Sequence, residues 1–299
     1  MRQSHYLPHW MPWFMAARPK TLTAAFVPIV AGTMLAYAEI GQINKIIFFS
    51  ALVTALFIQM GTNLINDALD FKKGADTEKR LGPQRVTQMG YLKMQEVFAW
   101  GVSCLAIAMI FGIPLMIHAG WPLAAVLLLS ACCGYFYTGG PLPLAYCGLG
   151  DLFVLIFFGV IATVFAYFLQ TGYFSLFAFL AGGQIGLLAM VMIGINNLRD
   201  VVEDTQANKR TLPVRFGKRL AKDLLAATVL LPFFLNLFWV QQGFYAAACL
   251  PWAALPLAVY LIKEVRNAEP GIRYNHFLAV SACLHASFGI LLSAGLYLK

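Results

Sequence analysis

Asn63-Leu-Ile-Asn66-Asp67-Ala-Leu-Asp70 closes an apolar run that starts near residue 45. Asn196-Asn197-Leu-Arg199-Asp200-Val-Val-Glu203-Asp204 closes another that starts near residue 174. Each run is about 20 residues long, enough to cross a bilayer as a helix. An ionised carboxylate at the end of such a helix is costly unless it is paired, metal-bound or hydrated. Two clusters of this kind, each followed by Lys and Arg, point to a membrane helix bundle that gathers carboxylates at one face. They suggest one site for metal ions and a polyanion.

The rest of the chain agrees. Of its 299 residues 60% are hydrophobic and only 11% charged, against about 25% charged in a soluble domain. Apolar segments recur at about 21–38, 45–65, 97–117, 121–138, 148–169, 174–196, 221–241, 243–262 and 276–297. This predicts an all-α polytopic bundle of nine transmembrane helices, read as a single integral-membrane domain over 1–299. The runs are continuous rather than alternating, which excludes a β-barrel. Residues 1–20 carry Trp10, Pro12 and Trp13 and read as an interfacial segment. No cleavable signal peptide is expected there. The six cysteines form no C-x-x-C pair and read as packing residues.

The net charge of +8 follows from topology. With the N-terminus inside, only Lys45 and Lys299 of the 21 basic residues fall outside. The positive-inside rule then predicts a multi-pass protein of the inner (cytoplasmic) membrane, with the N-terminus and the active site cytoplasmic. Nothing supports nucleic-acid binding, since no soluble domain carries an aromatic-studded basic stretch. Three inner loops are expected, about 66–96, 138–148 and 197–220.

Residues three and four apart share a helix face. Asn63, Asp67 and Asp70 therefore form one stripe, and Asn196, Asp200 and Asp204 another. Such rows of hard oxygen atoms suit Mg²⁺, which is usually held by one or two carboxylates together with substrate phosphates. Lys72, Lys73, Arg80 and Arg85 follow the first stripe, and Lys209, Arg210 and Arg215 the second. Arg grips phosphate oxygens bidentately and Lys adds point charge. Topology alone needs the cations but not the carboxylates. Glu78, Glu96, Asp223, Glu264 and Glu269 lack this pattern and read as solvated or Lys-paired. The two stripes also align as a faint repeat, Asn63-x3-Asp67-x2-Asp70 with Asn196-x3-Asp200-x2-Glu203. A transporter would hold its carboxylates near helix centres, whereas these sit at one membrane face.

Asn66-Asp67-x-x-Asp70, with Asp76 after it, resembles the first aspartate-rich motif of the UbiA superfamily of intramembrane prenyltransferases, and Asp200-x-x-x-Asp204 resembles the second. Arg18-Pro-Lys-Thr-Leu22, Gly82-Pro-Gln-Arg-Val-Thr-Gln88, Tyr137-Thr-Gly-Gly-Pro-Leu-Pro-Leu-Ala-Tyr146, Gly148-Leu-Gly-Asp151 and Lys209-Arg-Thr-Leu-Pro-Val-Arg-Phe-Gly217 are similar to the branch that prenylates 1,4-dihydroxy-2-naphthoate in menaquinone synthesis. The resemblance covers essentially the whole chain.

The resemblance implies a UbiA-like fold and a Mg²⁺-dependent reaction between a polyprenyl diphosphate and an aromatic acceptor, dihydroxynaphthoate or an alternative such as 4-hydroxybenzoate. The tail would lie in an apolar chamber open to membrane lipid. Asp67, Asp70, Asp200 and Asp204 would hold metal, with Asn63, Asn66 and Asn196 in support. Asp76 would complete the first motif. Lys73, Arg85, Lys209, Arg210 and Arg215 would face the diphosphate. Tyr135 or Tyr137 would shield an allylic cation, and Asp151 would orient a tyrosine or an acceptor hydroxyl. Arg18 and Lys20 would attract the acceptor carboxylate. His276 and His285 read as packing residues.

Overall fold

The computed structural model describes residues 8–74, 80–83, 85–140 and 143–298. Asp76 and Glu78 lie outside the described residues. The elements are α1 (Trp10–Ala17), α2 (Thr23–Ile40), α3 (Lys45–Lys72), α4 (Met94–Ala119), α5 (Trp121–Phe136), α6 (Gly150–Thr171), α7 (Leu176–Arg199), α8 (Val201–Gln206), α9 (Leu212–Phe216), α10 (Lys218–Gln241), α11 (Tyr245–Asn267) and α12 (Tyr274–Leu298). Among the described residues there is no strand.

Eight of these helices are long and apolar enough to cross a membrane. The ninth expected segment forms α5, with 16 residues. At 1.5 Å per residue it spans about 24 Å, less than the hydrocarbon thickness of about 30 Å. Its far end turns at Tyr137–Gly140 because Thr138 is held by Asn66, as described below.

Local signals account for the boundaries. The Asn44 side chain accepts from the Ile47 N–H at 3.2 Å and starts α3. Ser175 does the same for Phe177 at the start of α7. Satisfying one of the open N–H groups of a first turn in this way is what Asn and Ser are favoured for. At the opposite end α3 continues through the whole first cluster to Lys72. The cluster is therefore the last turns of a helix, not the start of a loop at 66. A helix of 28 residues measures about 42 Å, so it projects well past the hydrocarbon. The second cluster is less regular. α7 ends at Arg199, Asp200 leaves helical geometry (φ −94°, ψ 15°), and α8 resumes at Val201.

Helices that are apolar on all sides pack here through small residues, as is usual in membranes. The pairs α3–α4, α2–α6, α6–α7 and α2–α12 make the main contacts. The α6–α7 pair brings two backbones into direct contact. A Cβ on Gly159 would stand 2.3 Å from the Gly186 Cα. Gly159 lies in a π-helical stretch, Leu155–Ile161, within α6. This stretch turns Phe157 and Phe158 toward an internal cavity. At the N-terminus Trp13 packs edge-on against Trp100, with ring centres 5.6 Å apart.

Candidate active site

The C-terminal ends of α3, α5 and α7 meet the N-terminal ends of α2, α6 and α12 at one end of the bundle. There they enclose a polar cavity of about 450 Å³. Thirteen of the residues singled out from sequence line it: Arg18, Lys20, Asn66, Asp67, Asp70, Arg80, Arg85, Tyr137, Asp151, Asn196, Asp200, Asp204 and Lys209. A second, apolar cavity of about 240 Å³ runs deeper between α2, α3, α5, α6 and α7. Arg18, Thr21, Asn66, Tyr137, Ile193 and Asn196 line both.

The first stripe is buried. Asp67 is 2% exposed and Asp70 5%. The segment after α3 folds back over it. The Thr87 hydroxyl donates to Asp67. Arg85 donates to Asp70 Oδ2 at 2.7 Å and to the Asn66 carbonyl at 2.9 Å. Asp70 Oδ1 is buried and has no hydrogen-bond partner. The two asparagines are engaged elsewhere. Asn66 Oδ1 accepts from Thr138 at 2.7 Å, while Asn63 Nδ2 donates to the Ala17 carbonyl at 2.9 Å and to Thr21 at 3.1 Å.

In the second stripe Arg199 grips Asp200 with two bonds of 2.7 Å. Arg199 also donates to Asn275, whose amide donates to the Leu81 carbonyl. The break at Asp200 keeps helix-like bonding, since the Asp204 N–H still reaches the Asp200 carbonyl at 2.7 Å. Asp204 faces the cavity, with Thr211 at 3.4 Å and Lys209 at 3.7 Å. Burial pushes its carboxyl up to about 6, with Asp200 and Glu203 adding to the shift against Lys209 and Thr211. Glu203, the residue the repeat aligned with Asp70, does not line the cavity.

Three further groups complete the walls. Arg18 has left-handed backbone (φ 52°) between α1 and the Pro19–Thr21 turn. A non-glycine residue pays for that conformation, so the packing around it must hold it there. Burial, and then Arg85, lower its guanidinium to about 10, and its Nη2 has no partner. Tyr137 is shifted up by burial and by the neighbouring Asp151 and Asp70, so its hydroxyl stays protonated. Asp151 accepts from Asn197 at 3.3 Å.

Lys73, Arg210 and Arg215 do not line the cavity. The Lys73 ammonium donates to the Thr138 carbonyl and sits over the Tyr146 ring. The Arg210 N–H donates to the Tyr146 carbonyl at 3.0 Å. Gly148 has φ 75°, and a Cβ there would stand 2.3 Å from the Arg210 carbonyl oxygen, so this turn admits only glycine. Arg215 lies behind the same glycine. Tyr135 is exposed and lines neither cavity. The sequence assigns no role to Thr87 and Thr138, which it shows only inside the branch-like stretches, or to Asn275, a single polar residue without a pattern. Arg199 reads there only as a loop cation.

The donor set fits a hard divalent cation. Two carboxylate stripes with an open Asp70 oxygen face one cavity that also holds phosphate-type donors. Among the described residues no three acidic, His or Cys side chains converge into a protein-only metal site. Mg²⁺ usually completes its shell with substrate phosphate oxygens and water.

A family model described as "UbiA prenyltransferase family" matches residues 25–281. A 1,4-dihydroxy-2-naphthoate octaprenyltransferase of Bacillus subtilis is 32% identical over 94% of this chain and 91% of its own. The Escherichia coli protein of the same name is 34% identical over 85% and 83%. In overall fold the chain is similar to an apo UbiA homolog from Aeropyrum pernix K1, with TM-score 0.67 and 16% identity over 92% of this chain and 96% of the other. It is also similar to a UbiA homolog from Archaeoglobus fulgidus bound to DMAPP and Mg²⁺, with TM-score 0.60 and 16% identity over 94% and 99%.

Proposed function

Because the chain belongs to the UbiA prenyltransferase family, we propose that it transfers a polyprenyl group from polyprenyl diphosphate to 1,4-dihydroxy-2-naphthoate. The acceptor carboxylate is lost as carbon dioxide and the product is demethylmenaquinone. The observation that carries this reading is the junction of two cavities of opposite character. A chamber lined by carboxylates and cations adjoins, at Arg18, Asn66, Tyr137 and Asn196, one lined by Phe157, Phe158 and aliphatic residues. A charged head with a long apolar tail matches that pair.

Asp67, Asp70, Asp200 and Asp204 would hold Mg²⁺, and Asp76 would complete the first motif. When bound, the metal neutralises diphosphate charge and eases departure of the leaving group. The chain supplies the remaining charge through Arg80, Arg85 and Lys209, which line the same cavity. Preorganised charges of this kind stabilise what develops in the transition state. Lys73, Arg210 and Arg215 support the Tyr146 turn that flanks the site. Tyr137, neutral and lining both cavities, suits an allylic cation through its ring. Asp151 orients the Tyr137 side of the site. Arg18, with an open guanidinium nitrogen, suits the acceptor carboxylate, and Lys20 adds charge at the exposed rim. The distribution of Lys and Arg supports a multi-pass domain of the cytoplasmic membrane with the N-terminus and the site inside, and the apolar cavity would be reached from lipid.

A product assay on the purified protein in detergent with Mg²⁺ tests this. A polyprenyl diphosphate is offered with dihydroxynaphthoate or with 4-hydroxybenzoate, and products are read by mass. A prenylated, decarboxylated naphthoquinol from the first alone is the expected result. Product from 4-hydroxybenzoate alone would overturn the acceptor assignment.

A further inference from the structure

Gln59 is unused by the reaction as described above, yet it is 7% exposed and lines the apolar cavity. It lies one turn before Asn63 on the same face of α3. Its Nε2 points to the Thr21 hydroxyl at 3.4 Å. That hydroxyl has one hydrogen, which it donates to the Arg18 carbonyl at 3.0 Å, and it also accepts from Asn63 at 3.1 Å. Thr21 can therefore only accept from Gln59, which fixes the orientation of the amide. Gln59 Oε1 is left facing away from Thr21, buried and without a donor. Arg18 Nη2 is likewise a buried donor without an acceptor. Both residues line the same cavity. Buried polar groups are almost always paired, so an open donor and an open acceptor around one cavity call for a ligand carrying both complements.

A diphosphate and a hydrocarbon tail have no hydrogen to give to Gln59. A phenol does. We infer that Gln59 Oε1 accepts a hydrogen bond from a ring hydroxyl of the aromatic acceptor while Arg18 holds its carboxylate, so that Gln59 determines acceptor specificity. This rests on the prenyl-transfer reading given above. A site built to accept from a hydroxyl rejects analogues lacking it, because its own polar atom is then left unpaired.

The test uses the full-length protein with polyprenyl diphosphate and Mg²⁺. Dihydroxynaphthoate competes with its two monomethyl ethers, each blocking one hydroxyl, against wild type, Gln59→Leu and Gln59→Glu. Wild type is expected to bind one ether at least about tenfold more weakly than the parent. Gln59→Leu should bind that ether and the parent alike, with KM for the diphosphate within about twofold of wild type. Gln59→Glu, which keeps an accepting oxygen, should restore the discrimination. Equal binding of all three compounds by wild type overturns the inference. So does discrimination that survives in Gln59→Leu, or a Gln59→Leu defect shared equally by both substrates. If Gln59→Leu does not fold, loss of discrimination in Gln59→Glu overturns it and retention supports it. Absence of any prenyl transfer by wild type would instead overturn the proposed function.

Discussion

The ammonium groups of Lys73 and Lys209 each stand 4.9 Å from the centre of the Tyr146 ring. One follows the first carboxylate stripe and the other follows the second, so a single aromatic residue ties the two halves of the site together. A cation over an aromatic face contributes about 0.5–1 kcal/mol when exposed. Tyr146→Leu should therefore raise KM for the polyprenyl diphosphate several-fold, up to about tenfold, with KM for the acceptor little changed. Steady-state kinetics with each substrate varied in turn checks this, and equal effects on both would argue against it.

Asp67 and Asp70 should give the same loss of turnover with different effects on stability. Asp67→Ala gives up one hydrogen bond from Thr87, a loss of about 1 kcal/mol, so the protein should insert normally and be inactive. Asp70→Ala removes the carboxylate against which the buried Arg85 guanidinium is packed. Breaking a buried pair in this way costs about 3–5 kcal/mol. A lower thermal midpoint for Asp70→Ala than for Asp67→Ala, at equal loss of product, is the expected outcome. A fully active Asp67→Ala protein would sink the metal-site assignment.

The pH dependence has a defined sign. The Asp204 carboxyl is raised from 3.8 to about 6, so between those values the folded state holds more protons than the unfolded one. Stability of the metal-free protein then falls as pH rises through that window and levels off above about 6. The full loss is at most about 3 kcal/mol. Asp204→Asn removes the burial penalty and should be more stable than wild type at pH 7.5 but not at pH 5, while losing turnover. Thermal unfolding in detergent at the two pH values measures it.

Metal removal should act on turnover before it acts on the fold. EDTA is expected to stop product formation, and excess Mg²⁺ to restore it, with the helical circular dichroism unchanged. Asp70, Asp200 and Asp204 are already paired with Arg85, Arg199 and Lys209, and Asp67 accepts from Thr87, so the fold is expected to hold without the metal. Product formed at an undiminished rate in EDTA would remove Mg²⁺ from the reaction.

Gly159→Ala tests the packing that shapes the apolar cavity. The added Cβ would meet the backbone of Gly186 and Gly182 at 2.3–2.5 Å, which neither helix can relieve by turning a side chain. Overpacking of this kind costs about 1–3 kcal/mol. A lower thermal midpoint, with Mg²⁺ response retained, is expected.

The sequence by itself determined the helices, the motifs and their meeting at one end. Apolar runs of membrane length specify helices whatever surrounds them, because an unpaired backbone cannot enter hydrocarbon. A three-and-four spacing puts Asn63, Asp67 and Asp70 on one face whatever they face. Only the tertiary structure decided which of these groups are open. Asn66 looked like a ligand and is bonded to Thr138; Lys73 looked like a diphosphate contact and is turned to Thr138 and Tyr146. Arg199 looked like a loop cation and clamps Asp200. Such partners lie many residues away along the chain, and no local period encodes a hydrogen bond made across a bundle. The same holds for the apolar cavity. Every span is apolar on all sides, so the positions that leave space become visible only when the helices are packed.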